Sequence, residues 1–195
     1  MNLSPPTVLR AARDTMLNPA GAARYVMGLG LSAGQGVMAL ALTAVCATLL
    51  TALMQVFMGP VQDVAMQGLF DRPFMLALSQ FGLMLVGAAL MWRVGQMFGG
   101  KGSFAQSLSL VAWLEMVLIL LQTAEVVVLL VLPIMALPIG LLSVFAFFYL
   151  LTHFTAALNG FVSLTKTFFA ILGTAFAVLI LASIALMFIL PVPNV

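Results

Sequence analysis

The chain has 195 residues, of which 64% are hydrophobic and 6% are charged, and its formal net charge is +2. Soluble domains average about 45–50% apolar and about 25% charged residues, so this composition excludes a water-soluble fold and indicates a protein that resides in a bilayer. A net charge this small gives no reason to expect a nucleic-acid partner, and a single cysteine, Cys46, excludes an internal disulfide.

Residues 1–35 form the first predicted unit, a cytoplasmic N-terminal segment with a short amphipathic helix. The stretch SPPTVLRAARDTMLNP supplies Ser4 as the N-cap and Asn18-Pro19 as the end of this helix. At 100° per residue its apolar and charged side chains fall on opposite arcs, so the helix either lies on the inner membrane surface or is a solvated tail. Residues 28–36, GLGLSAGQG, are typical of a flexible linker. The apolar arc holds Val8, Leu9, Ala12 and Met16, and the charged arc holds Arg10, Arg13 and Asp14.

Five apolar runs in residues 36–195, the second predicted unit, are long enough to cross a membrane, since each crossing needs about 20 residues. They span 37–58, 74–91, 104–132, 139–158 and 167–190. As a helix the third run would be about 43 Å long, against a hydrocarbon core of about 30 Å, so it must tilt, protrude or break between Gln122 and Glu125. The predicted fold is an all-α integral membrane bundle of five transmembrane helices.

The basic residues indicate the orientation of these helices. With five crossings, six of the seven lysines and arginines fall on one side, and only Arg72 falls on the other, beside Asp63 and Asp71. Short cytoplasmic loops carry an excess of Lys and Arg. We therefore predict a multi-pass protein of a bacterial inner membrane, with the N-terminus in the cytoplasm and the C-terminus in the periplasm. The six residues are Arg10, Arg13, Arg24, Arg93, Lys101 and Lys166.

The stretch WRVGQMFGGKGSF, residues 92–104, is similar to a phosphate-binding loop because four residues separate Gly95 from Gly100 and Lys101. A true loop of this kind continues with Ser or Thr and lies between a strand and a helix. Here Gly102 stands at the hydroxyl position and an apolar run precedes the loop, so no nucleotide is expected. The glycines, the leading tryptophan and the two basic residues instead predict a tight turn at the membrane border.

Two patterns of small residues predict close contacts between helices. Gly95 and Gly99 form a GxxxG pattern, which marks either a close helix contact or simple turn flexibility. In the first apolar run, small residues recur at every fourth position and would let another helix approach, within the bundle or in a partner. These residues are Ala39, Thr43, Ala47 and Thr51.

The third run carries the only acidic residues inside apolar sequence, Glu115 and Glu125. With Gln122 they share one helix face, and because a charge at the bilayer centre costs about 2.5–3.5 kcal/mol, this face should point into the bundle or into a wet cavity. Measured from the cytoplasmic side, Glu115 would lie about 16 Å deep and His153 of the fourth run about 8 Å deep. A long side chain or a water molecule can bridge this difference in depth. The pair Glu115 and His153 would either lock the bundle or relay a proton.

The sequence predicts neither catalysis nor cofactor binding. Its only histidine has no cysteine or second carboxylate beside it, so no metal site is expected. The 14 methionines are scattered through the apolar runs as adaptable packing side chains rather than clustered as copper ligands. Because no Ser/His/Asp constellation stands out, an enzyme is not expected.

Two stretches, LNPAGAARYVMGLGL and FGGKGSFAQSLSLVAWLEMVLILL, together with five crossings and an apolar C-terminal end, resemble the bacterial branch of the Yip family. The resemblance implies a five-helix membrane domain with a cytoplasmic N-terminus. Eukaryotic members interact with Ypt/Rab GTPases in vesicle traffic, but their acidic-aromatic cytoplasmic motif has no counterpart here, so Rab binding is not implied. The distinctive loop comprises Phe98, Gly99, Gly100, Lys101, Gly102, Ser103 and Phe104.

These observations predict a non-enzymatic membrane protein that acts as an interaction or membrane-organising scaffold. Its partners would be the lipid bilayer and other membrane proteins or a second copy of itself, and neither nucleic acid nor nucleotide. The alternative is a small transporter or channel that uses the buried polar residues of the third run. The residues of that pathway would be Glu115, Gln122, Glu125 and His153.

Overall fold

The computed structural model describes residues 5–58, 68 and 72–189. Seven α-helices lie in this part of the chain: α1 Pro5–Leu17, α2 Pro19–Gly28, α3 Ala33–Met58, α4 Pro73–Met97, α5 Phe104–Val131, α6 Ala136–Asn159 and α7 Leu164–Ile189. Helices α3 to α7 are long and apolar enough to cross a membrane, and no strand is present among the described residues. The predicted all-α membrane bundle is thus confirmed. Ser4, Asp63, Asp71 and residues 190–195, which the sequence analysis used, lie outside the described residues.

Helix α3 begins inside the segment that was predicted to be a linker. The backbone N–H of Ser32 donates to Gln35 Oε1 at 2.9 Å, and the N–H of Gln35 donates to Ser32 Oγ at 3.3 Å. This reciprocal arrangement is a capping box, which satisfies backbone donors that a helix start otherwise leaves unpaired. The linker prediction was therefore wrong for most of 28–36. The S-x-x-Q pattern of the capping box is present in the sequence and indicates a helix start at this point.

Helix α5 is continuous through Gln122 and Glu125, so the predicted alternative of a break there was wrong. The 3₁₀ turn Pro133–Met135 then leads into α6. Helix α6 begins before Pro138 rather than after it, because a proline in the first turn of a helix removes no intrahelical hydrogen bond. Helix α4 likewise runs to Met97 and not only to residue 91, since loss of apolar character marks the membrane border and not the end of a helix.

Helix α5 is the centre of the bundle and contacts α1, α2, α3, α4 and α6, whereas α7 packs chiefly against α6. Gly36 of α3 lies so close to α5 that an added β-carbon would come within 2.7 Å of the Leu108 β-carbon. Thr43, from the predicted small-residue stripe, is buried against α4, with 3.9 Å between its Oγ1 and Met84 Sδ. Five large apolar side chains are fully buried in the core of the described residues: Leu40, Leu108, Leu110, Leu150 and Phe154.

The predicted amphipathic helix is present as α1, and part of its apolar arc packs against the rest of the protein. Ala12 and Met16 pack against the core, and Arg13 is exposed. The Trp113 indole Nε1–H of α5 donates to Thr15 Oγ1 at 3.1 Å. Trp113 lies about 14 Å along α5 from Phe104, so the end of α1 packs well below the end of the bundle.

One end of the bundle, which we call the basic end, carries Arg93, Lys101 and Lys166. Helices α4 and α6 end there, and α3, α5 and α7 begin there. Arg72, just before α4, lies at the opposite end.

Candidate functional site

The distinctive loop at the basic end is a turn between α4 and α5. Residues 92–97, predicted to belong to the turn, are the last residues of α4, so the turn proper comprises 98–103. Gly99 has φ of +83°, a conformation that side chains other than that of glycine rarely adopt. The Gly100 N–H donates to the Gly95 carbonyl at 2.8 Å, which closes the end of α4.

Asn159, the last residue of α6, explains the other glycines of the loop. Its side chain is buried, and Nδ2 donates to the Met91 carbonyl at 3.3 Å and to the Thr155 carbonyl at 3.0 Å. It occupies the space that a β-carbon on Gly95 or on Gly100 would need. In the same way, Leu158 fills the space that a β-carbon on Gly102 would need. We call Gly95, Gly100, Gly102, Leu158 and Asn159 the Asn159 cluster.

Two different requirements explain why these positions of the loop are glycines. Gly95 and Gly100 permit close approach of α6, whereas Gly99 provides the positive φ. Only Gly95 of the GxxxG pair therefore lies at a helix contact. The glycines that would line a phosphate are covered by the Asn159 side chain instead. The sequence analysis did not single out Asn159, and nothing in the sequence alone assigns it to a glycine-lined space.

The remaining residues of the loop hold it in place. Ser103 caps α5 through its Oγ, which accepts from the Gln106 N–H at 3.2 Å, and Gln106 Oε1 accepts from the Ser103 N–H at 3.0 Å. Gln96 Nε2 donates to the Gly102 carbonyl at 3.1 Å. The rings of Trp92 and Phe104 lie 5.5 Å apart between centroids. The loop is thus fixed to both helices that it joins.

Two side chains of this fixed loop region remain outside the packing. Phe98 is 67% exposed and Met97, the last residue of α4, is 79% exposed. Lys101 is exposed between the half-buried Gly100 and the buried Gly102. The loop therefore presents two large apolar side chains and one cation on a rigid support.

The structure does not join the predicted pair Glu115 and His153. Both residues are half-buried, and within the described residues no hydrogen bond or ion pair connects them. The His153 imidazole instead packs edge-on against the Tyr149 ring of the same helix, with 4.7 Å between ring centroids.

The other two residues of the predicted polar face reach different neighbours. Gln122 Nε2 lies 3.5 Å from Met54 Sδ of α3. Glu125 lines a groove of about 290 Å³ between α5 and α6, together with Ser143 and Met16. Because successive positions on one helix face contact α3 in one case and α6 in the other, Gln122 and Glu125 do not share a compartment.

The family model of the Yip1 domain matches residues 13–187, which begin within α1 and end within α7. The chain belongs to the Yip1 family. No curated protein and no solved structure shows a significant match to the chain. The family match covers the Asn159 cluster and all five candidate membrane helices, so both are parts of this chain's Yip1 domain. The chain is a multi-pass membrane protein, and its apolar helices fit contact with the lipid bilayer.

Proposed function

We propose that this Yip1 domain is a non-enzymatic scaffold that binds another membrane protein, or a second copy of itself, at the basic end. The observation that carries the proposal is the loop 98–103, which is fixed by buried contacts and yet presents large apolar side chains outward. Methionine and aromatic residues are enriched at protein interfaces, and exposed apolar groups on a rigid support lose little conformational entropy on binding. We define the proposed docking surface by Met97, Phe98 and Lys101.

The basic end, in this proposal, faces the cytoplasm of a bacterial inner membrane. The support is the charge distribution, with Arg93, Lys101 and Lys166 at one end of the spanning helices and Arg72 at the other. Single cysteines introduced as Lys101→Cys or Arg72→Cys, each with Cys46→Ser, test it with a membrane-impermeant maleimide on intact spheroplasts. Labelling is expected at position 72 at once and at position 101 only after permeabilisation. The opposite order of labelling contradicts this orientation.

The separation of the polar residues favours a scaffold over a transporter. Gln122 faces α3, Glu125 faces the groove beside α6, and His153 packs on Tyr149, so these side chains do not follow a common path. In vesicles, Glu115→Gln is expected to leave proton flux equal to that of the wild type. A folded Glu115→Gln variant that loses a measurable flux would contradict the scaffold and support a relay.

Site-specific crosslinking tests the docking surface directly. A benzophenone amino acid at Met97 should capture a discrete protein adduct in native membranes. The matched control is Leu83 of the same helix, 74% exposed against 79% for Met97 but about 21 Å away along the axis. An adduct of twice the chain's mass identifies a second copy as the partner. Equal capture from both positions, or no protein adduct from Met97, contradicts a specific docking surface.

A further inference from the structure

A second surface at the basic end combines an apolar groove with a single cation. The groove has a volume of about 440 Å³ and lies between the α4–α5 turn and the start of α7. Its apolar walls are Phe98, Phe161, Val162 and Ala170, and its polar side holds Ser163 and Lys166. This volume is within the range of small-molecule sites, about 300–1,000 Å³.

The charge of the groove is uncompensated within the described residues. Lys166 is exposed, forms no ion pair there, and no acidic residue lines the groove. It stands in the first turn of α7, where backbone N–H groups lack intrahelical partners and the helix dipole is positive. Ser163 Oγ accepts a hydrogen bond from one of these donors, the Lys166 N–H, at 3.3 Å. The groove is therefore complementary to one negative charge.

The apolar walls decide which anion fits. Val162 is 99% exposed, and Ala170 lies about 9 Å along α7 from Leu164, on the flank of a candidate membrane helix that has few protein neighbours. The groove thus extends from the turn before α7, which holds Phe161 and Val162, past Lys166 to Ala170 on the side of the spanning helix. A small soluble anion would cover only the cationic part and leave the walls in contact with solvent, which is unfavourable for apolar surface. A phospholipid presents a phosphate at one level and an acyl chain below it.

We propose that this groove binds one anionic phospholipid of the adjacent leaflet, with its phosphate at Lys166 and an acyl chain along the side of α7 at Ala170. The lipid would fill the space between the α4–α5 turn and α7, and so connect α7, which otherwise packs chiefly on α6, to the rest of the basic end. The groove shares Phe98 with the proposed docking surface, whereas Met97 and Lys101 do not line it, so the lysine pair Lys166 and Lys101 distinguishes the two proposals.

Lipid retention by the purified full-length protein tests this site. The protein is exchanged from vesicles of equal phosphatidylglycerol and phosphatidylcholine content into detergent, and retained lipids are counted by native mass spectrometry. The wild type is expected to retain one phosphatidylglycerol in preference to phosphatidylcholine. Lys166→Gln should lower that retention about fivefold, which is the effect of one basic residue at an anionic membrane surface. Lys101→Gln, an exposed lysine at the same end but outside the groove, should change it less than twofold.

A second measurement uses the unmodified chain, so it does not depend on the folding of a variant. A phosphatidylglycerol with a photoreactive acyl chain should form adducts on α7 at and around Ala170. Adducts spread evenly over the lipid-facing sides of α3 and α7 would overturn the proposal. The proposal would also be overturned by equal retention of both lipids or by equal loss of retention in both lysine variants. Full displacement of the lipid by millimolar glycerol phosphate would overturn it too, because the groove would then bind a soluble anion.

Discussion

Helices α5 and α6 are packed very differently in their two halves. In α5 nearly every residue from Ser107 to Leu114 is buried, whereas beyond Val117 only Val126 is. In α6 the buried residues lie mostly between Leu150 and Asn159, and most of the earlier turns are exposed. The exposed halves are more apolar than the buried ones, so the difference in burial comes from neighbours and not from hydropathy. Toward the basic end α2 packs against both helices and the glycine turn contacts α6, while in the other half the described residues leave a groove between them that Met16 of α1 also lines.

This contrast teaches that, in a bilayer, apolar residues do not by themselves distinguish the protein interior from the lipid-facing surface. Lipid tails are as apolar as Leu, so helices associate through close packing and hydrogen bonds rather than through hydrophobic burial. The basic half therefore should carry most of the specificity of the fold. The following substitutions compare the two halves, and each is measured by thermal unfolding in detergent with a thiol-reactive dye that reports exposure of the single, half-buried Cys46.

The largest expected difference is between two phenylalanines of α6. Phe154 is fully buried, and Phe154→Ala should cost about 3 kcal/mol because it leaves a cavity in the basic half. Phe145 is 70% exposed on the same helix, and Phe145→Ala should change the unfolding free energy by less than about 0.5 kcal/mol. Equal losses in the two variants would show that both halves are packed alike.

The second difference is between two glycines of α4. Gly95→Ala should cost about 1–3 kcal/mol because the new β-carbon overlaps the Asn159 side chain. Gly82→Ala meets no atom within 4 Å and should stabilise the helix by up to about 1 kcal/mol.

Gly95 and Asn159 together permit a rescue test of the Asn159 cluster. Asn159→Ala alone should destabilise by about 1–2 kcal/mol through loss of its two hydrogen bonds. Combined with Gly95→Ala, it should cost less than the sum of the single variants, since the overlap is then removed. Strictly additive losses would mean that Asn159 is not what excludes a side chain at position 95.

A smaller effect is expected where α1 meets α5. Trp113→Phe removes the indole donor to Thr15 and should cost about 1 kcal/mol, which corresponds to about a fivefold increase in the population of undocked α1. Trypsin cleavage at the exposed Arg13 should accelerate by that factor. Trp92→Phe, which alters the other tryptophan but does not contact Thr15, is the control and should leave the cleavage rate unchanged. The same rate in all three proteins would indicate that the hydrogen bond does not hold α1.

The smallest effect is expected from Gln122 in the open half. Its amide contacts the Met54 sulfur, a weak acceptor, so Gln122→Leu should change stability by about 0.5 kcal/mol or less. A loss of more than about 1 kcal/mol would reveal a polar network in that half.

Much of this architecture was determined by the sequence. Five apolar runs fixed five helices, because a chain inside lipid must satisfy its backbone hydrogen bonds within each segment. Asn18-Pro19 correctly marked the end of α1, and the loop at 98–104 was part of the resemblance to the family. The sequence also contained the capping signal at Ser32. The glycines of 28–36 are compatible with a linker, but the cap at Ser32 starts a helix in spite of them.

Only the tertiary structure decided which residues meet. Helical periodicity placed Glu115, Gln122 and Glu125 on one face, but α3 and α6 divide that face between them, so no polar pathway follows from the pattern. Asn159 and the three glycines around it are about 60 residues apart in the chain, and no local rule joins them. The physical reason is that hydropathy is a property of each segment alone, whereas close approach depends on the shapes of two surfaces at once.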